Sequence, residues 1–369
     1  MKFQVISERG QGVGIAAHLS SEGHAVAIHV EYSKHPVGKG VAIYASTSGA
    51  ADIILFDSDI FGEFADELRA KGQRVAGASS WGQALSSNRE YSHVLIRSLG
   101  WPIYEKLLGH EFCISAWFNG NTYIGVYVSV IQNKLFSDVR SPSVPYAGIV
   151  SDFWIDKSSK VYGEILTPLS KMLKRVNHRG LVNVFVRANN THYTVYAVNA
   201  TLTSPLALPF YENSRESVSN ILLGVFNEGS HPIAPLERWA GALLLSTPPY
   251  PYKENVTSVP ISGVEQGNLR HLCFEDVMHD KGTWATAGDS GRIGYVTARG
   301  SAVHEMQKRV YRTTRNVTSD SIQFREDLCK DTGKVFSMLA QSGWTKRKQV
   351  KQGGESGQLY SEHSNVGIR

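Results

Sequence analysis

The residues best placed to do chemistry lie in two short stretches near the start of the chain. In the first, Gly10, Gly12 and Gly14 separate an opening apolar strand, residues 3–7, from a helix over Ile15–Ser21. A glycine-rich turn between a strand and a helix exposes backbone N–H groups at the helix N-terminus, where an anion binds. The G-x-G-x-G spacing lacks the acidic residue that marks a ribose site after the second strand, Glu31 being the nearest. Two readings stand side by side: a phosphate site, or a tight turn that lets helix and sheet pack closely. In the second stretch, Asp57 and Asp59 follow the apolar run Ile53–Phe56. The carboxyl end of a parallel strand is where open α/β sheets bind ligands. Acids there equally suit the first turn of a helix, which favours negative charge.

The elements that must position these groups follow from pattern. Ile53–Phe56 is a short continuous apolar run, as in a parallel strand covered on both faces. Phe61, Phe64, Ala65 and Leu68 fall at helical spacing with charges opposite, and Gly72 ends that helix. A glycine- and serine-containing loop then leads to a helix over Tyr91–Leu99, so residues 1–102 form an open α/β layer. From 103 to 212 the character changes to α+β. Strands Phe112–Phe118 and Tyr123–Val130 flank Asn119-Gly120-Asn121, a strong hairpin signal. Gln132–Ile149 reads as a polar loop, Val161–Val176 as a helix, and Leu181–Ala188 and Thr194–Val198 as strands stopped by Pro205–Pro209. Residues 213–344 form a further α+β unit, with helices Ser214–Phe226, 301–317 and 331–343, and short strands near 258–261, 272–274 and 294–298. Residues 345–369 are a polar tail, basic at Lys346, Arg347, Lys348 and Lys351.

A chain of 369 residues buries a sizeable core and divides into two or three domains. Its 42% apolar and 19% charged residues are ordinary for a globular protein. A formal charge of +5 is small for this length, so a nucleic-acid partner is expected only through the segment 346–351. No apolar run spans a bilayer, the first residues lack a leader's apolar segment, and the cytoplasm is the expected location. Cys113, Cys273 and Cys329 are odd in number and far apart, which suits a reducing compartment. His271, Cys273 and His279 lack a fourth metal ligand, and no G-x-S-x-G elbow occurs.

Taken together, these stretches resemble the ATP-grasp ligases, and within them phosphoribosylamine–glycine ligase. Three places carry the likeness. One is Gly10–Gly14 with Gly23-His24. The next runs from Ile53 through Gly77-Ala78-Ser79 and Asn88-Arg89 to Gly100-Trp101-Pro102. The third is Tyr250-Pro251, Pro260–Gly263, Gly294–Gly300, Tyr311 and Arg325–Asp327. The resemblance implies a Rossmann-like, pre-ATP-grasp parallel sheet, a reduced ATP-grasp core and a C-terminal α+β subdomain. It places Asp57, Asp59 and Gly62 beside a substrate cleft, and it makes Glu105 and Glu111 nucleotide-side acids. Lys134 is expected as the remnant of the loop over the phosphates. A nucleotide lid is implied after Gly-x-Pro, yet Trp101-Pro102 runs straight into Ile103-Tyr104-Glu105, so the lid is expected to be absent. The metal strand of that family is Ala197-Val198-Asn199-Ala200-Thr201-Leu202-Thr203 here, where Asn199 alone survives.

Those departures have physical weight. Mg²⁺ requires hard oxygen ligands, and Ala197 supplies none. Thr201 cannot make a guanidinium's bidentate contacts. Losing one such electrostatic group commonly costs on the order of 10²–10³ in rate. The expectation is therefore a degenerate ATP-grasp protein without a cofactor, acting as a binding, regulatory or structural partner, for example of an active ATP-grasp paralogue. The alternatives are a working ADP-forming carboxylate–amine ligase using ATP and Mg²⁺, or a protein binding a phosphorylated small molecule without ATP chemistry.

Overall fold

The computed structural model describes residues 1–41, 51–202, 205–252 and 256–345. The basic segment 346–351 and Thr203 lie outside the described residues. The chain opens with β1 (Lys2–Ser7), α1 (Val13–Ser21), β2 (Ala25–Val30), β3 (Ile53–Phe56), α2 (Gly62–Ala70), β4 (Val75–Ala76), α3 (Ser80–Ser87) and α4 (Arg89–Ser98). Its strands form a parallel sheet in the order β2-β1-β3-β4. Every residue of β3 is buried, which is why an unbroken apolar run marks it. Helix α3 stands where a loop was expected. Its signal is the cap, Ser79, whose hydroxyl accepts the Gly82 N–H at 3.0 Å.

Residues 103–109 reach the next strand without a helix or strand of their own. There follow β5 (His110–Asn119), β6 (Tyr123–Lys134), β7 (Ser143–Asp152), α5 (Thr167–Arg175), β8 (Arg179–Ala188), β9 (Tyr193–Asn199), α6 (Leu208–Glu212), α7 (Val218–Phe226) and β10 (Trp239–Ser246). The chain continues through β11 (Pro260–Ile261), β12 (Leu272–Phe274), β13 (Val277–Asp280), β14 (Thr283–Thr286), β15 (Arg292–Gly300), α8 (Val303–Asn316) and α9 (Thr332–Gln341). An eight-stranded antiparallel sheet runs in the order β12-β15-β10-β7-β6-β5-β8-β9. Strands β11, β14 and β13 make a small third sheet.

Two expectations are corrected. Most of Gln132–Ile149 is strand, because β7 gains its ladder from β6 on one side and β10 on the other. Strand β10 was not foreseen, although all eight of its residues are buried. Strand β9 ends at Asn199, before Pro205–Pro209, and that segment leads into α6, with Pro209 in the first turn, where its missing N–H is not needed. The large sheet draws β10, β12 and β15 from beyond residue 212, so a boundary there divides the sequence and not the sheet. Apolar side chains cover both of its faces: Phe112, Ile114 and Val184 belong to the main core, and Cys113, Ile149 and Leu244 to a second. No helix among the described residues is long and apolar enough to cross a membrane.

Candidate functional site

At the carboxyl ends of β1 and β3, the glycine turn and the acidic loop meet. Asp57 is buried and its carboxylate accepts from the Ser7 hydroxyl, from the Glu8 N–H at 2.8 Å and from the Gly12 N–H at 2.7 Å. The Gly10 N–H donates to Ser7 Oγ at 2.8 Å. Two backbone donors of the turn, at Glu8 and Gly12, are thus engaged by an anion from the neighbouring strand, and a third, at Gly10, by Ser7. Burial pushes the Asp57 carboxyl up to about 6, against the three donors that pull it down.

The glycines themselves answer to packing. A Cβ on Gly14 would lie 2.2 Å from the Cys273 sulfur, and one on Gly10 would lie 2.9 Å from the Glu275 carbonyl oxygen. Side chains there would push α1 away from β12 and from the residue that follows it. Gly62 likewise lets α2 approach Ser79, whose carbonyl oxygen would sit 2.5 Å from an added Cβ. Of the two readings of the turn, the close-packing one describes these contacts.

Asp59 faces the other way, toward the large sheet. Thr201 Oγ1 donates to its Oδ2 at 2.6 Å, and burial raises its pKa. Thr201, which stands where the resemblance implies an arginine, therefore ties the acidic loop to the segment after β9.

A second constellation lies on the large sheet, around a cleft of about 540 Å³. Glu111, Ile131, Asn133, Tyr146, Tyr196 and Asn199 line it, with Phe185 and Ala197 between them. The Phe185 and Tyr196 rings lie 6.1 Å apart, and the Arg187 guanidinium sits 5.8 Å from the Tyr196 ring centre. The structure thus brings Glu111 and Asn199 to one cleft, although 88 positions separate them in their numbering (199 − 111). Glu105 is exposed and does not line it.

Three of the side chains expected to act here are otherwise engaged. The Glu111 carboxylate pairs with Arg187. The Lys134 ammonium is exposed and donates to the Val139 carbonyl within the β6–β7 turn, not toward the cleft. Asn199 Oδ1 accepts from Asn183 Nδ2 at 2.9 Å, and Asn183 Oδ1 accepts from the Ser115 hydroxyl at 2.7 Å. Ser115, Asn183 and Asn199 are direct cross-strand partners on β5, β8 and β9, so they form one polar row through the sheet. Asn183 and Ser115 were missed at the level of sequence. The available signal was a lone amide inside the apolar run Leu181–Val186, since a buried amide needs a partner.

Divalent magnesium takes several oxygen donors in near-octahedral array. Ala197 offers none, Asn199 Oδ1 already accepts one of its two possible bonds from Asn183, and the Glu111 carboxylate lies against Arg187. These residues do not fit a magnesium site. Among the described residues, no group of three or more His, Cys, Asp or Glu is arranged to hold a metal, the His271–Cys273–His279 region included. The aromatic lining, Tyr146, Phe185 and Tyr196, suits a flat apolar or aromatic group, and the cleft offers it a few polar edges.

Neither a family model nor a curated protein sequence matches the chain. Solved structures do. The chain is similar to phosphoribosylamine–glycine ligase from Thermotoga maritima, with a TM-score of 0.70 at 14% identity over 89% of this chain and 100% of that one. It is similar to N5-carboxyaminoimidazole ribonucleotide synthetase from Thermotoga maritima, with a TM-score of 0.52 at 12% identity over 87% and 99%. It also matches pyruvate carboxylase from Rhizobium etli, with a TM-score of 0.61 at 12% identity over 95% of this chain and 37% of that longer one. The parallel sheet, the antiparallel sheet and these likenesses agree on one statement: the chain has the ATP-grasp fold.

Proposed function

We propose that this chain uses the ATP-grasp scaffold as a binding protein, without forming an acyl phosphate. The observation that carries this reading is the metal strand itself: Ala197 lines the cleft with a methyl where the resemblance implies an oxygen ligand, and Asn199 Oδ1 already accepts from Asn183. Phosphoryl transfer depends almost entirely on positioning and on neutralising charge at the transferring oxygens. The cleft presents an aromatic wall, a paired Glu111 and the methyl of Ala197, and its tyrosines suit a planar ring better than a triphosphate. The short connection over residues 103–109 supports the further view that no nucleotide lid follows Pro102, so nothing there would exclude water from a reactive intermediate. The ligand is then held and released unchanged, and any regulation passes through the Thr201–Asp59 bond that joins the two sheets. The test is ADP release from Mg-ATP by the full chain in the presence of a panel of carboxylic acids and amines. The expected rate equals that without protein. Substrate-dependent ADP release above that background would overturn the proposal.

A further inference from the structure

The glycine turn is filled from within, but another part of the molecule carries positive charge that is not. Where β15 turns into α8, a cleft of about 550 Å³ opens between α8, the end of β15 and the short turn Leu269–His271. Four arginines line it: Arg270, Arg299, Arg309 and Arg312. Arg309 and Arg312 are three residues apart on one helix, so they share a face.

The wall behind them is fixed by a buried acid. Glu212, at the end of α6, accepts from Thr297 Oγ1 at 2.8 Å and from Arg299 Nη1 at 2.9 Å. His271 Nδ1 lies 2.8 Å from the same carboxylate, while Arg270 Nε donates to His271 Nε2 at 3.0 Å. The ring thus faces Glu212 through Nδ1 and Arg270 through Nε2. The ring acts as a strut that holds Arg270 over the cleft. Arg309 is held too, donating to the Arg299 carbonyl at 2.8 Å and to Glu305 at 2.6 Å.

The charges do not balance. Glu212 and Glu265 are the acids lining the cleft, and Glu212 is bonded to Arg299. Among the described residues, the Arg312 guanidinium and the terminal amino groups of Arg270 have no carboxylate partner. Asn268 and Asn316 add amides at the rim. Guanidinium groups crowded into a polar, partly enclosed space raise the local concentration of anions. Their planar forks match phosphate oxygens two at a time.

We infer that this cleft binds a small molecule bearing a phosphate monoester, with Arg270 and Arg312 as its principal contacts. The site shares no lining residue with the Glu111–Asn199 cleft and does not depend on how that cleft is used. Its volume exceeds that of a phosphate alone, so the ester's organic part fits as well.

The experiment is calorimetric titration of the full chain with glucose 6-phosphate and with glucose, on wild type and on an Arg270→Ala/Arg312→Ala double variant. Both positions are exposed, so the variant is expected to fold, which circular dichroism and melting check. Saturable binding of the phosphate ester, no binding of glucose, and at least about tenfold weakening in the double variant are expected, since charge-assisted bonds are being removed. Arg312→Lys should keep part of the affinity, because the charge stays and the fork is lost. Absence of binding to wild type, or a folded double variant that binds as wild type does, would overturn the inference. An oligonucleotide that displaces the ester at far lower concentration would also overturn it, since the face would then belong to nucleic acid.

Discussion

The glycine turn at the end of β1 and the arginine cleft beside α8 both look, in outline, like places for an anion. They differ in what already occupies them. The turn's donors close on Asp57, a carboxylate supplied by the next strand. In the arginine cleft, the internal acid Glu212 meets Arg299 and His271, Glu305 takes Arg309, and among the described residues Arg270 and Arg312 are left without a carboxylate. A backbone that can bind an anion is therefore not evidence of a ligand until the internal acids have been placed. The Asn183–Asn199 bond teaches the same lesson for a metal: a residue of the right type has part of its bonding capacity taken by its neighbour.

The comparison can be broken at the turn itself. If Gly14 is a packing residue, Gly14→Ala should destabilise the fold by about 3 kcal/mol, because the new Cβ meets both the Cys273 sulfur and the Phe274 backbone nitrogen. Chemical denaturation measures this. A variant of unchanged stability that has lost affinity for phosphate esters would show instead that the turn serves a ligand.

A titration sharpens the role of Asp57. Its folded-state pKa of about 6 stands above its ordinary value of 3.8. Between these values the folded chain keeps a proton that the unfolded chain has released. The contribution to stability is therefore complete below about pH 4 and is lost as the pH rises to about 6. It amounts to about 3 kcal/mol at 1.36 kcal/mol per pH unit. His178 works in the opposite sense, burial having lowered it to about 4, so whole-protein stability does not isolate either group. The stability of wild type minus that of Asp57→Asn does isolate it, and this difference should fall between pH 4 and 6. A flat or rising difference would mean that the carboxylate is not buried as described.

The smallest effect is expected at Glu111. Its pair with Arg187 is largely exposed, with side chains 47% and 36% accessible, so Glu111→Gln should change stability by no more than about 0.5 kcal/mol. A larger loss would give Glu111 a structural importance that its position at the rim of the cleft does not.

Much of the scaffold could be read from pattern. The apolar run Ile53–Phe56 is β3 to the residue, and Asn119-Gly120 marks the β5–β6 hairpin because few other residues accept that turn. What escaped was decided by neighbours far away in sequence. Strand β7 contains serine and proline and becomes a strand by pairing with both β6 and β10. Strand β10 is buried on both faces, so it lacks the alternation that reveals a half-buried strand. The candidate site was legible as residue types and not as partnerships. Asp57, Glu111 and Asn199 were all found, and each turns out to be engaged by a group that no local spacing announces, Gly12, Arg187 and Asn183, while Lys134 turns back on Val139 within its own turn.

The central claim is that an ATP-grasp fold here lacks a working magnesium site. Calorimetric titration of the full chain with ATP, in the presence and in the absence of saturating Mg²⁺, tests it most directly. The account predicts that the affinity, if any heat is seen, is no tighter with the metal than without it. Tight binding of ATP that appears only with Mg²⁺ would contradict it.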